Sequence, residues 1–314
     1  MKNLAAILAL GLALTHTATA EVPATFVKLV GLSTVPEARC AFLLVLDTNR
    51  PPILGEVWIA EGKTSGALEL VAIDDQAMTA KIRNGGKESV LSFTAEAPVP
   101  PPARAIPSDA GKKTGAIKFQ NLPLSQLLSF YSELTGRTIL RSTMLPVGVI
   151  AAHSQNLDRE GIVRFLERTL TRNHLQSLPQ GDKFTVVLPE NRALPAAALW
   201  ENRKATGGGQ RSQAAYPAGA INFMNAELFQ VLQFYGKLAG RKVEHGPELP
   251  NFPITIKPAT SLSVAEALYA FDTVLLLNGI QIVAVDDQTV KAVPMTPPVN
   301  KPAPPAKSKP SLSK

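Results

Sequence analysis

The spacing of apolar residues between positions 117 and 136 predicts a strand followed by an amphipathic helix. Ile117 and Phe119 flank the polar Lys118, an alternation typical of a half-buried strand. Leucine and tyrosine side chains then recur every three or four residues, and this period places them on one helical face. Asn121 has the side chain of a good helix N-cap, and Gly136 is placed to end the helix in a left-handed conformation.

The residues that follow predict two more strands, a second helix and two closing strands. Short apolar runs at 138–140 and 149–152 have the length of strands. Asp158 is expected to cap the second helix. The apolar face of that helix carries Ile162, Leu166 and Leu170. Residues 175–188 supply the closing strands, and two helices on one face of a small sheet are the simplest arrangement.

The same pattern occurs twice in the chain. Residues 117–121 (IKFQN) return as residues 221–225 (INFMN), and residues 130–137 (FYSELTGR) return as residues 234–241 (FYGKLAGR). The offset is 104 residues in this half of the repeat and 105 residues from the second helix onward. The sequence therefore predicts two copies of one βαββα module.

We call residues 116–190 copy 1 and residues 219–294 copy 2. In copy 2, Ser263 is expected to cap the second helix and Asn278-Gly279 to end it. The positions that the copies share are mostly apolar. The repeat therefore describes a fold rather than a reaction centre.

Residues 25–95 predict a small all-β domain. Short apolar runs of strand length are separated by turn signals, such as residues 74–76 (DDQ) and 84–86 (NGG). This spacing indicates a curled sheet or barrel of about five to seven strands that folds independently, with Trp58 in its core. The whole chain is thus predicted to be a multidomain α+β protein, in which a small β domain precedes the two βαββα modules.

The N-terminus predicts export from the cytoplasm. Lys2 provides a short positive region, an apolar run follows, and Ala18-Thr19-Ala20 fits the small-x-small rule for signal peptidase. We expect residues 1–20 to be a signal peptide, cleaved between Ala20 and Glu21. The apolar run is shorter than the roughly 20 residues that span a bilayer, although an uncleaved anchor is the alternative. No transmembrane segment is expected after cleavage.

Three segments separate or follow the predicted folded parts. Residues 96–115 are rich in proline and are expected to form an extended linker that proteases cut readily. Residues 191–218 contain three consecutive glycines, which indicate a flexible linker because no strand-to-helix context supports a phosphate loop. Residues 295–314 are rich in Pro and Lys and are expected to be a disordered tail.

Charge and cysteine content narrow the function classes. The formal net charge is +7, but five of the lysines lie in the signal peptide or the tail: Lys2, Lys301, Lys307, Lys309 and Lys314. Little positive charge is left for the folded parts, so the electrostatic support for nucleic-acid binding is weak. Cys40 is the only cysteine, so no intramolecular disulfide forms and each domain depends on its apolar core.

The strings carried by the two copies resemble a known module. The strings "IKFQNLPLSQLLSFYSELTGRTIL" and "NLDREGIVRFLERTL" of copy 1 resemble the short N-terminal domains of secretins. So do "INFMNAELFQVLQFYGKLAGRKV" and "SLSVAEALYAFDTVLLLNGIQIV" of copy 2. Those periplasmic domains stack below the outer-membrane pore of type II secretion and type IV pilus systems. The first block, with "GALELVAIDDQAMTAKIRNGGKESVLSF", is similar to the β domain of the linker proteins that dock onto secretins.

This resemblance implies a periplasmic, non-catalytic component of a secretin-containing secretion or type IV pilus apparatus. The implied partners are envelope proteins, in particular a secretin or a pilus or secretion component, and self-association is a further option. A full secretin continues into a long pore domain, and the linker proteins keep an anchor or a lipidated cysteine. The chain departs from both patterns, so we expect an accessory protein built from such modules rather than the pore.

No residue pattern points to a reaction centre, a metal ion or a cofactor. His153, His174 and His245 have no Cys, Asp or Glu at ligand spacing. The aspartate pairs at 74–75 and 286–287 each precede a glutamine at a predicted turn, where turn chemistry explains them. We therefore expect no enzyme activity and no catalytic, metal-binding or cofactor-binding residues.

Two other function classes remain open. A cell-envelope enzyme, such as a peptidoglycan hydrolase, could draw its catalytic residues from scattered positions. A KH-like nucleic-acid-binding module is the second alternative, because secretin-type domains resemble KH folds. Neither copy contains the Gly-x-x-Gly clamp that KH domains use, so nucleic acid is not an expected partner.

Arg137 and Arg241 occupy equivalent positions in the two copies and are the candidate partner contacts. Each follows the glycine that is expected to end the first helix. The alternative interpretation is structural, since an exposed charge at the start of a strand usually needs no functional explanation.

Overall fold

The computed structural model of the protein describes residues 25–47, 53–93, 114–145, 148–195, 199 and 215–295. These residues form a mixed α+β fold with four α-helices, which agrees with the predicted fold class at that level. The signal peptide with Ala20 and Glu21, most of the proline-rich segment, the three glycines and nearly all of the tail lie outside the described residues.

The first block consists of strands and one short 3-10 turn (Pro36–Ala38). Its strands are β1 (Thr25–Ser33), β2 (Cys40–Asp47), β3 (Ile53–Ala60), β4 (Thr64–Ser65), β5 (Leu68–Asp74), β6 (Thr79–Asn84) and β7 (Lys87–Leu91). β1, β2 and β3 are antiparallel neighbours, while β4 to β7 form a second sheet. Leu29, Leu43 and Leu70 belong to the core between these two sheets. The number of strands agrees with the prediction.

Copy 1 has the order strand, helix, strand, strand, helix, strand, strand. Its elements are β8 (Gly115–Pro123), α1 (Leu124–Thr135), β9 (Thr138–Arg141), β10 (Val149–Leu157), α2 (Arg159–Arg172), β11 (Leu175–Gln180) and β12 (Phe184–Pro189). β8 and β10 are antiparallel, β9 and β12 are parallel, and β11 and β12 form an antiparallel hairpin.

The sheet formed by β1, β2 and β3 is buried on both faces. Leu43 points into the core of the block, whereas Phe42 packs on copy 1, with its ring centroid 5.4 Å from that of Phe119 and 5.0 Å from that of Phe130. Trp58 also packs towards copy 1, 6.0 Å from the ring of Phe130, and not in the core of the block as expected. Burial of both faces explains the uninterrupted apolar run of β2.

The block and copy 1 share one sheet, in which the strand order is β10-β8-β1-β2-β3. Residues 31–33 of β1 pair antiparallel with residues 117–119 of β8. Gly31 permits this approach, because a Cβ atom there would lie 2.7 Å from the Phe42 ring and 3.0 Å from the Phe119 ring. Pairing and packing thus join the block to copy 1 in one sheet, whereas the sequence predicts a separate β domain.

Copy 2 repeats the element order of copy 1 with two short additional strands. Its elements are β13 (Ala215–Tyr216), β14 (Phe223–Glu227), α3 (Leu228–Ala239), β15 (Lys242–His245), β16 (Pro253–Ile256), β17 (Leu262–Ser263), α4 (Val264–Leu277), β18 (Ile280–Ala284) and β19 (Thr289–Pro294). β14 is antiparallel to β16, β15 is parallel to β19, and β18 is antiparallel to β19. These are the pairings of copy 1, so the two halves of the repeat have one topology.

Most helix ends lie where the sequence predicts them. Asp158 caps α2 by accepting a backbone N–H bond at 2.7 Å, and Ser263 and Glu266 form a capping box at the start of α4. Gly136 and Gly240 follow α1 and α3 with φ angles of 64° and 60°. Both glycines therefore end their helices in the left-handed conformation.

Asn121 does not cap α1, contrary to the prediction. The helix begins at Leu124, and Asn121 lies inside β8 with a φ angle of 59°. At this point one extra residue of β8 faces β10, and β14 has the same extra residue opposite β16. Asparagine tolerates the left-handed conformation better than most residues, so it suits the β-bulge at this position.

The closing sheet of copy 1 lies between the helices of the two copies. Phe184, Val186 and Leu188 of β12 join the core of copy 2, while Val187 joins the core of copy 1. The ring of Phe184 lies 5.1 Å from that of Tyr269 on α4. The two copies therefore pack as one stack with a shared core.

Candidate interaction surfaces

The side chains that could bind metals or act as bases lie apart in the fold. Within the described part of the chain, no three His, Cys, Asp or Glu residues are grouped so that they could hold a metal ion. His153 lies in β10, where burial and the nearby charge of Lys118 lower its pKa. His174 follows α2, and its Nδ1 lies 3.7 Å from the carboxylate of Glu190.

Cys40 and the paired aspartates have structural surroundings. Cys40 is buried, and burial raises the pKa of its thiol, which disfavours the reactive thiolate. Asp74 accepts bonds from two backbone N–H groups at 2.9 and 2.8 Å, and Asp286 accepts one from Gln288 at 2.7 Å. These are the turn contacts that the sequence predicts for both pairs.

Arg137, one of the two candidate partner contacts, is bound within copy 1. Its Nη1 donates to the carbonyl oxygens of Gly181 at 2.9 Å and Phe184 at 3.1 Å. The half-buried side chain thereby links the end of α1 to the hairpin of β11 and β12. These bonds favour the structural interpretation of Arg137.

The first interaction surface is the contact between the block and α1 of copy 1. Gln126 is buried, and its Nε2 donates to the carbonyl oxygen of Leu43 at 2.9 Å. The hydroxyl of Ser125 donates to the carboxylate of Glu56 on β3. Arg141 lies near the same carboxylate: burial lowers the pKa of Arg141, and Glu56 partly offsets this effect. A strand that carries an acidic side chain thus covers this part of copy 1.

The second surface joins the two copies through Asn278, which follows the last residue of α4. Its Oδ1 accepts three bonds from copy 1: from the Thr143 backbone N–H at 2.9 Å, the Thr143 hydroxyl at 2.7 Å and the Ser142 hydroxyl at 3.1 Å. Its Nδ2 donates to the carbonyl oxygen of Val274 at 2.7 Å. One amide side chain therefore ends α4 and also connects the copies.

An ion pair adds to this surface. Lys183 of copy 1 lies 2.9 Å from the carboxylate of Glu266 and also donates to the carbonyl oxygen of Ser261 at 3.0 Å. Partial burial raises the pKa of Glu266, but the bonds from Lys183 and from the Ser263 backbone outweigh it and lower the pKa overall. The capping box of α4 and the contact between the copies therefore use the same carboxylate.

Two residues that are buried between the copies have charged equivalents on the surfaces that face away from this contact. On α2, the exposed Arg164 occupies the position of the buried Tyr269. On β19, the exposed Lys291 occupies the position of the buried Val186. Another module stacked in the same way would bury these charges, which is costly without a partner of opposite charge. The apolar contact is thus confined to the junction of the two copies.

A groove of about 750 Å³ opens on copy 2 between α3 and β15. Its lining includes Phe229, Gln233, Val243 and His245. The half-buried ring of Phe229 stacks on His245, with centroids 4.7 Å apart and an angle of 30° between the planes. The groove therefore has an aromatic end and an apolar wall.

The rim of the groove is basic. Lys237, Arg241 and Lys242 line it, and no Asp or Glu is among the lining residues. Lys242 lies 2.8 Å from the carboxylate of Glu244, which is not among the lining residues. A backbone N–H bond and, more weakly, the charge of Arg241 lower the pKa of Asp286. The cationic groups are thus partly balanced on one side, while Lys237 on α3 is exposed.

β15 lies at the edge of its sheet, next to the groove. The strand order is β15-β19-β18, so β19 occupies one side of β15, and no described strand pairs with the other side. A free strand edge beside a helix is the geometry with which folded domains bind an extended segment as an added strand.

The sequence interpretation named Arg241 but missed the groove beside it. Lys237 and Phe229 belong to no motif, because single exposed charges and aromatic residues are common on amphipathic helices. A comparison of the copies carries the signal, since Lys237 stands where copy 1 has Glu133, and Phe229 stands where it has Ser125.

No protein-family model matches this chain, and no curated protein matches it significantly. Among the described helices, none is both long enough and apolar enough to cross a membrane.

Proposed function

We propose that the protein is an exported, non-catalytic interaction component of a secretin-containing secretion or type IV pilus apparatus and that it acts in the periplasm. The observation that carries this proposal is the way the chain binds itself. One module receives the β1 strand of the block at its β8 edge, and the same module packs its closing sheet on α4 of its copy. Modules that bind neighbours through strand edges and sheet faces are suited to assembly rather than catalysis.

In this proposal each copy is a secretin N-domain-like module, and the first block is a docking domain of the linker-protein type. The repeated element order and strand pairing support it. The sequence strings of the two copies, which resemble secretin N-terminal domains, support it independently. The expected partners are a secretin or another component of the apparatus.

The test is co-purification of the full chain, tagged at its C-terminus, from detergent-solubilised envelopes after brief chemical cross-linking. We expect a mature N-terminus at Glu21 in the periplasmic fraction and specific recovery of a secretin or pilus component by mass spectrometry. A version without residues 2–20 should stay in the cytoplasm and recover neither.

An unrelated exported protein with the same tag is the control for non-specific recovery. Retention of the full chain in the cytoplasm contradicts the proposal. So does recovery of no secretion or pilus component together with hydrolysis of purified peptidoglycan, which would favour the envelope enzyme.

A further inference from the structure

The surface of copy 1 that is covered has an uncovered counterpart on copy 2. In copy 1, Ser125 of α1 contacts Glu56 of β3, and Arg141 of β9 lies near the same carboxylate. The equivalent residues of copy 2 are Phe229 and His245, which form the aromatic end of the groove.

Two further residues that the block buries in copy 1 have more accessible equivalents in copy 2. Gln126, buried under the block, corresponds to Gln230, which is exposed. Phe130 is 2 % exposed beneath Phe42, whereas the equivalent Phe234 is half-buried. Within the described part of the chain, the helix face that receives β2 and β3 in copy 1 is therefore covered less in copy 2, where Tyr216 of β13 packs on Phe234 and Gln230 stays exposed.

β9 and β15 are both edge strands of their sheets, but their surroundings differ. In copy 1 the hydroxyl of Thr138 on β9 accepts a bond at 3.1 Å from the backbone N–H of Ala259 of copy 2. The equivalent residue of β15 is Lys242, which lines the groove and whose ammonium group lies 2.8 Å from the carboxylate of Glu244. β15 thus keeps a free edge next to a groove with an apolar wall and a basic rim.

We propose that this groove binds an extended acidic segment of another protein, which adds as a strand to the free edge of β15. The backbone of the segment would pair with β15, one apolar side chain would lie against Phe229 and Val243, and its carboxylates would lie near Lys237 and Arg241. The occupant follows the precedent in copy 1, where a strand bearing Glu56 covers the corresponding surface.

Charge argues against the three long remaining segments of the chain as occupants. Residues 94–113 contain Glu96 and Asp109 against three basic residues, and residues 200–214 contain Glu201 against three basic residues. Residues 296–314 contain four lysines and no acidic residue. Since like charges repel across a basic rim, the segment comes from a different protein.

The inference rests on the proposed interaction function but not on the identity of the apparatus, and its test uses peptides only. A phage library of random dodecapeptides is selected on the full mature chain and on the Lys237→Glu/Arg241→Glu variant. The Arg164→Glu/Arg168→Glu variant makes the same charge change on the exposed face of α2 and serves as the matched control.

Wild type and control should enrich acidic peptides with alternating apolar residues, and the groove variant should not. The most enriched peptide, followed by fluorescence anisotropy, should bind the groove variant about tenfold or more weakly, because charge-assisted bonds are lost. Thermal melts show whether the variants stay folded. A second measurement changes only the peptide, which is N-methylated either at its odd or at its even residues. Each pattern removes the backbone N–H groups on one edge of the extended peptide, and one of the two patterns should abolish binding.

Several results would overturn the inference. Selected peptides without an acidic bias, equal binding to the groove variant, or full binding by peptides of both N-methylation patterns each contradict it. A dimer of the chain that the groove variant dissociates would assign the groove to a second copy instead. If peptides bind as expected but no secretin or pilus component co-purifies, the groove stands and only the proposed apparatus is wrong.

Discussion

Asn121 and Asn225 occupy equivalent bulges in the two copies and share a left-handed backbone, with φ angles of 59° and 53°. The bulge turns the first strand of each copy towards its helix, which begins three residues later. Because this conformation costs most residues about 1–2 kcal/mol, the residue type at this position contributes to stability.

We therefore expect Asn121→Ala to lower the free energy of unfolding by about 1 kcal/mol, whereas Asn121→Gly should cost less. Urea denaturation of the full chain measures both effects. Asn225→Ala and Asn225→Gly repeat the comparison in copy 2. Equal losses for alanine and glycine would show that the backbone conformation is not the reason for asparagine.

Asn278 should contribute more to stability than the equivalent Asn173. Both side chains bond to a carbonyl oxygen of their own helix, at 2.7 and 2.8 Å, but only Asn278 also accepts three bonds from the other copy. Asn278→Ala leaves the N–H of Thr143 without this acceptor, so we expect a loss of about 1–3 kcal/mol.

Hydrogen exchange of the Thr143 amide measures this effect locally. It should accelerate in Asn278→Ala and stay unchanged in Asn173→Ala, which removes the helix bond alone. Unchanged protection in both variants would mean that Asn278 does not hold the copies together.

Phe42 should stabilise copy 1 although it belongs to the first block. Its ring lies against Phe119 and Phe130, so Phe42→Ala should cost about 3–5 kcal/mol and weaken hydrogen-exchange protection in α1. Leu43→Ala is the matched control, since the neighbouring side chain points into the block's own core. If α1 kept full protection in Phe42→Ala, the block and copy 1 would be separate folding units after all.

His153 should make the fold sensitive to mild acid. Burial and Lys118 lower its folded pKa below the unfolded value of about 6.5, so the unfolded chain binds the proton more readily. The stabilisation that comes from neutral His153 is complete above a pH of about 6.5. It is lost as the pH falls towards the folded pKa of His153.

Unfolding free energies between pH 7 and pH 5, from urea titrations, test this dependence. His153→Gln should flatten the slope relative to wild type, because it removes the group that binds the proton. A slope that His153→Gln does not alter would remove this histidine as its source.

The sequence determined the features that depend on near neighbours. The spacing of apolar residues, the capping side chains and the glycines that end helices are all local signals. They placed α1, α2, α3 and α4 within a few residues of their observed bounds. The offset of the repeat also predicted that Tyr131 and Tyr235 are equivalent, and both are buried. The resemblance to secretin domains and the function it implies stay predictions.

Only the tertiary structure decided how these elements combine. An apolar run such as β2 is compatible with one large core or with two cores on opposite faces, and the choice depends on β1 pairing with β8, far away in sequence. Asn121 has a side chain suited to a cap and to a bulge, and the opposing strand β10 selects the bulge. The groove on copy 2 likewise reflects long-range packing that no local pattern encodes, because β3 with Glu56 lies on copy 1 and no described strand takes its place beside Phe229 and His245.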